Sequence, residues 1–153
     1  MMVARFGRRT LVAAALVAMG LPLVGAWADE TAFDKQLAEY YRVFIQHQTA
    51  NRGQQKTMFA DKMAAAHRGE TVLPEDPAKF DTITETDRNK LSEARAKLMS
   101  TLDGGGRDKQ PKSCARAQVR YDCWVKQASE GGSDAKGHAC HKQFESAFAT
   151  CAM

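Results

Sequence analysis

The 153 residues contain no Cys-x-x-Cys and no Cys-x-x-Cys-His, which removes the usual signatures of a dithiol oxidoreductase and of covalently attached haem. No segment alternates apolar and polar residues with the period of a strand, and no internal repeat is present, so sheets and solenoids are excluded at the level of pattern. No nucleophile stands at a recognisable spacing from a base. A membrane span needs about 20 apolar residues. The uncharged run Leu11 to Val24 is shorter and is broken by Gly20 and Pro22.

That run has a different meaning. Arg5, Arg8 and Arg9 precede it without any acid, and Ala26-Trp27-Ala28 follows it. A positive n-region, an apolar h-region and a small-x-small site predict a signal peptide over residues 1–28, cleaved before Asp29. No cysteine lies near the cut, so the lipid anchor of a bacterial lipoprotein is not expected. Arg8-Arg9-Thr10-Leu11-Val12 also fits a twin-arginine export signal, but the rest of that consensus is absent and an ordinary secretory signal is the simpler reading.

The leader also accounts for the basicity. The whole chain carries a formal charge of +4, and losing the leader's three arginines leaves +1. Nucleic-acid binding thereby loses its main support. The expected product, residues 29–153, is long enough for one domain with a modest core.

Its periodicity is helical. Phe33, Leu37, Tyr40, Tyr41, Phe44 and Gln48 recur at steps of three and four, with Thr31 and Asp34 placed as a capping pair. Asn51-Arg52-Gly53 breaks this helix. A second, with Met58, Phe59, Met63 and Ala66 inside, runs to about Arg68, where Gly69 stands as a C-terminal cap. Residues 29–69 thus read as a helical hairpin. Residues 70–83 read as a connection, because Pro74 and Pro77 forbid a continuous helix.

Thr84-Glu85-Thr86-Asp87 opens a helix over 84–103 that buries Leu91, Ala94, Leu98 and Leu102, and Asp103-Gly104-Gly105-Gly106 ends it. A polar linker to Pro111 follows. A second hairpin is expected over 113–153. Its first helix starts at Ser113 and carries Ala117, Tyr121, Trp124 and Ala128. Gly131-Gly132-Ser133-Asp134 turns the chain, and the last helix carries Cys140, Phe144, Ala147, Phe148 and Cys151. The expected fold is all-α, with about five helices, and its aromatic and methionine stripes read as core.

The four cysteines all lie in this last hairpin, and in an exported chain an even set favours disulfides. Cys114 and Cys123 are nine residues apart, roughly 13 Å along a helix, and Cys140 and Cys151 are further apart still. A bridge tolerates under about 7 Å between Cα atoms, so neither helix bridges itself. A short connection makes the helices antiparallel, which keeps the sum of partner numbers nearly constant. Pairing Cys123 with Cys140 and Cys114 with Cys151 gives 263 and 265, whereas the crossed pairing gives 254 and 274. Nested bridges are therefore expected, the inner one contributing roughly 3 kcal/mol. Against this, nine residues at about 100° each place Cys114 and Cys123 on opposite faces. Cys114 is thus expected at or before the first helical turn, where the backbone can deviate.

His138-Ala139-Cys140-His141 clusters three potential metal ligands, but an exported chain favours disulfides over thiolates. Glu39, His47, His67, Glu75 and Asp76 would make an acid–base set only if the fold gathered them, and dispersed groups of this kind are normally solvated. No catalytic residue, cofactor or resident metal is expected.

Two stretches resemble a known family. Arg68-Gly69-Glu70-Thr71-Val72-Leu73-Pro74-Glu75-Asp76-Pro77 is followed by Leu91-Ser92-Glu93-Ala94-Arg95-Ala96-Lys97-Leu98-Met99. Later come Ala115-Arg116-Ala117-Gln118-Val119-Arg120-Tyr121-Asp122-Cys123-Trp124-Val125, then Ala139-Cys140 and Phe144. This is similar to the helical region before the peptidoglycan-binding domain in certain OmpA-type outer-membrane-associated proteins, over about Tyr40 to Phe148. The resemblance implies a periplasmic location and supports the Cys123–Cys140 pair, with Cys114 and Cys151 as an added outer staple. The α/β peptidoglycan-binding domain is not in this sequence, so peptidoglycan binding has no residues to rest on.

The functional expectation is a non-enzymatic periplasmic helical module that binds or spaces an envelope protein partner. The alternative is a thiol- or metal-handling protein. Its cysteine layout is similar to small twin-cysteine helical hairpins, although eight and ten intervening residues miss their usual nine.

Overall fold

A computed structural model describes residues 29–47, 53–131 and 139–153. The leader with Ala26-Trp27-Ala28, the positions Gln48, Asn51 and Arg52, and the Gly132-Ser133-Asp134 turn with His138 lie outside the described residues. Among the described residues the fold is all-α, with five main helices: α1 (Ala32–His47), α2 (Gly53–His67), α3 (Glu85–Thr101), α4 (Pro111–Ser129) and α5 (Ala139–Cys151). None is long and apolar enough to cross a membrane.

Local chemistry sets most helix ends. Thr31 and Asp34 form a reciprocal box: Asp34 N–H donates to Thr31 Oγ1 at 3.1 Å, and Thr31 N–H donates to Asp34 Oδ2 at 3.1 Å, satisfying two amides that have no intrahelical partner. Gly69, at φ 67°, closes α2. Its N–H donates to Ala66 O and the Glu70 N–H to Ala65 O, both at 3.0 Å, a Schellman pair that only a left-handed residue completes. Thr84 caps α3 through the Asp87 amide at 3.2 Å.

Three boundaries differ from the sequence reading. Gly53 is the first residue of α2 rather than part of the break. The triple glycine interrupts the helix as expected, because Gly105 has non-helical backbone angles that kink the chain there. Leu102–Gly106 forms a π-type turn with Gly105 at φ 102°, and Arg107–Lys109 forms a further helical turn where a polar linker was expected. α4 begins at Pro111 rather than Ser113, because proline is suited to a first helical position whose amide would be unpaired anyway.

Helix α4 is the hub, packed against α1, α3 and α5. Beyond the expected stripe of Ala117, Tyr121, Trp124 and Ala128, it also buries Gln118, Val119, Asp122, Cys123 and Val125. A helix apolar along one stripe faces solvent with the other; this one is buried around most of its circumference, with Lys112 and Arg116 left exposed. Tyr41, Phe44 and Phe59 lock α1 to α2, with Phe44 edge-on to Phe59 at 4.7 Å, and Tyr121 meets Phe144 of α5 at 5.6 Å. Each such buried ring contributes roughly 1.5–3 kcal/mol by leaving water.

Candidate functional site

The nested disulfides are present: Cys114–Cys151 with Cα atoms 4.7 Å apart, and Cys123–Cys140 with Cα atoms 5.7 Å apart. The angular mismatch is not relieved by a distorted helix start. Cys114 does lie in the first turn of α4, but its N–H already donates to Gln110 O at 2.9 Å. Its sulfur packs against the glycine turn, where a Cβ at Gly106 would fall 3.0 Å from Cys114 Sγ and 2.7 Å from Thr101 O. Both bridges are buried, so neither offers a sulfur to an attacking thiolate without local opening.

The histidines and acids considered in the sequence are not gathered. Glu39 pairs with Arg42 on the surface of α1, with Arg42 Nε 2.8 Å from Glu39 Oε2, and that hydrogen bond holds its carboxyl below the usual range. His47 is exposed at the end of α1. His67 lies 3.2 Å from Glu30, and Asp76 caps a short 3₁₀ turn, Pro77–Lys79, through the Ala78 amide at 3.0 Å. His141 stacks on Trp124 at 3.8 Å and lies 3.3 Å from Glu145. Cys140 is in a bridge, and among the described residues no group of three His, Cys, Asp or Glu could hold a metal ion.

What the fold does gather is a buried knot centred on Asp122. Its Oδ1 accepts the Glu75 amide at 2.7 Å. Its Oδ2 accepts the Tyr41 hydroxyl and Lys62 Nζ, the latter at 2.8 Å. Lys62 spends its other two protons on Leu73 O at 2.9 Å and Glu75 Oε2 at 3.0 Å, so all three ammonium donors are used. Gln118 Nε2 donates to Val72 O at 2.8 Å and Arg95 Nε to Pro74 O at 3.0 Å.

The segment 70–76 has no ladder of its own. Its consecutive carbonyls, residues 72, 73 and 74, are taken by side chains from α4, α2 and α3 in turn, which is how a backbone without secondary structure meets its hydrogen-bonding demand. Burial pushes the Tyr41 phenol well above its usual range, and the neighbouring Asp122 charge adds to it. For Glu75, burial acts to raise the pKa, but the charge and hydrogen bond of Lys62, then Lys79, outweigh it and hold the carboxyl low.

Sequence reasoning singled out Glu75 but missed Lys62, Tyr41, Gln118 and Asp122 as a set. One signal was there: Gln118 and Asp122 sit one turn apart on a helix whose neighbours are apolar, a spacing that aims two polar side chains at one spot.

Two grooves remain. One, about 440 Å³, runs between α3 and α5 over Trp124, Phe144 and Phe148, with Glu93 and Lys97 on one rim and His141 and Glu145 on the other. The second, about 310 Å³, lies between α1, α4 and α5, with Tyr40, Phe44, His47, Arg116, Arg120 and Gln143 among its walls. Comparison of the chain with protein-family models, with curated proteins and with solved structures found no match.

Proposed function

We propose that this chain is an exported, non-enzymatic helical protein of the cell envelope, a periplasmic module that binds or spaces another envelope protein. The observation that carries the reading is the pair of buried, nested disulfides downstream of a leader-like N-terminus. Such bridges persist in oxidising compartments, and all four cysteines are committed to holding α5 on α4. The buried ionisable groups serve the fold in the same way, since Asp122, Lys62 and Glu75 clamp the 70–76 segment. The resemblance of this segment and of Tyr121-Asp122-Cys123-Trp124 to an envelope family points the same way. The groove over Trp124 and Phe144 supports a binding role, because concave aromatic surfaces with a polar rim suit protein recognition.

The test is fractionation of expressing cells, with mass spectrometry and thiol counting on the product. The expected species is periplasmic, begins at Asp29 and has no free thiol. A cytoplasmic product with reduced cysteines would refute the reading. The partner arm uses a photo-crosslinker at residue 145, expected to trap an envelope protein and to lose it on Phe148→Glu.

A further inference from the structure

The two arginines of the smaller groove stand apart from every other described arginine. Arg42 pairs with Glu39, Arg68 with Glu70 and Arg107 with Asp103. Arg88 donates to Phe80 O and Ile83 O, and Arg95 to Pro74 O. Among the described residues, no carboxylate or carbonyl partners Arg116 or Arg120. They sit one turn apart on α4, where like charges repel. Arg120 is half-buried with its guanidinium 5.8 Å over the Phe44 ring, and burial, then the Arg116 charge, lowers its proton affinity. Keeping such a charge partly out of water without a counter-charge is costly. The buried cluster around Asp122 avoids that cost, since Lys62 meets Leu73 O, Glu75 and Asp122 together.

We propose that the groove between α1, α4 and α5 is a binding site for a small organic oxyanion, a phosphate or carboxylate head on a compact apolar body. The guanidinium forks of Arg116 and Arg120 take the head, since planar paired donors match an oxyanion bidentately. Gln143 and Tyr40 stand on the same walls as further donors, and among the described residues no carboxylate lines the groove to compete. Phe44, with the valines beside it, faces the apolar body. A volume of about 310 Å³ lies at the small end of ligand pockets and admits a head and a single ring. This inference stands apart from the envelope reading, because it uses neither the leader nor the aromatic groove.

The experiment titrates inorganic phosphate, phenyl phosphate and benzoate into the oxidised chain by calorimetry, with thermal shift as a second readout. Vesicles of phosphatidylglycerol and of phosphatidylcholine form a separate arm. Phenyl phosphate is expected to bind saturably and more tightly than inorganic phosphate and to raise Tm. Arg116→Gln and Arg120→Gln should each weaken binding at least tenfold. Arg120→Lys, which keeps the charge without the fork, should fall between, and Arg42→Gln should bind as the parent does. Arg116 is exposed, so Arg116→Gln is expected to fold, with an unliganded Tm no lower than the parent's because a repulsion is removed. Should Arg120→Gln fail to fold, Arg116→Gln and Arg120→Lys carry the test. Absence of saturable binding by every soluble anion would overturn the proposal. So would binding unchanged in Arg116→Gln, or binding confined to phosphatidylglycerol vesicles, which would make the pair a membrane contact instead.

Discussion

Lys62 of α2 and Asp122 of α4 meet at 2.8 Å inside the protein, sixty residues apart in sequence. The contact joins the two halves of the fold, because both residues also hold the segment between them. Asp122 takes the Glu75 amide, and Lys62 takes Leu73 O.

Removing both members of that pair should cost less than the two single losses added together. Lys62→Met or Asp122→Asn strands an uncompensated buried charge, with an expected cost of about 3–5 kcal/mol. The double variant should lose less than the sum, with a coupling of about 0.5–3 kcal/mol. Urea denaturation of the four proteins measures it, and strict additivity would refute the structural role given to the pair.

Acid should weaken the fold through Glu75. Its folded pKa lies below the ordinary 4.5, so its contribution is full above that value and is lost as pH falls through the folded pKa. Stability measured by urea midpoint should therefore decline below about pH 4.5. In Glu75→Gln that part of the decline should vanish.

Alkali should act through the two buried phenols. Burial, and then the Asp122 charge, raises both Tyr41 and Tyr121 above their ordinary 10.0. A raised folded pKa leaves stability intact below the unfolded value and removes it as pH climbs beyond. Thermal midpoints should fall from about pH 10 upward, and less steeply in Tyr121→Phe. A slope unchanged in that variant would count against it.

The outer bridge should be worth at least as much as the inner one. It spans 37 residues against 17, which the chain-entropy argument converts to about 4 and about 3 kcal/mol. Paired Ser variants, Cys114 with Cys151 and Cys123 with Cys140, compared by guanidinium unfolding, decide the order. Nothing frayed at the α4 start discounts Cys114, since that end is hydrogen-bonded and buried.

Two neighbouring glycines should respond in opposite directions to alanine. At Gly106 the new methyl would meet Thr101 O at 2.7 Å, and crowding of this kind costs about 1–3 kcal/mol. At Gly104 nothing lies within 4 Å, so alanine should be neutral or stabilise by up to about 1 kcal/mol. Thermal unfolding of the two variants is the check.

The residues themselves determined the helical class, the Thr31–Asp34 box, the Gly69 cap and the nested cysteine pairing. Each follows from short-range facts: a period of 3.6, one special backbone angle, or a rise of about 1.5 Å per residue that makes only one bridging pattern reachable. The glycine stop was legible too, since Gly105 at φ 102° kinks the chain where the helix was expected to end, but the short helical turn Arg107–Lys109 beyond it was not.

Only the tertiary structure decided that α4 is buried around most of its circumference, that Asp122 is the centre of a buried knot, and that Arg116 and Arg120 alone among the described arginines go without a carboxylate or carbonyl partner. The partners of Asp122 come from 47, 60 and 81 residues away. A charge's worth depends on what stands within a few ångströms of it. Local pattern carries no record of that distance, so the packing of α1, α2 and α3 around α4 had to supply it.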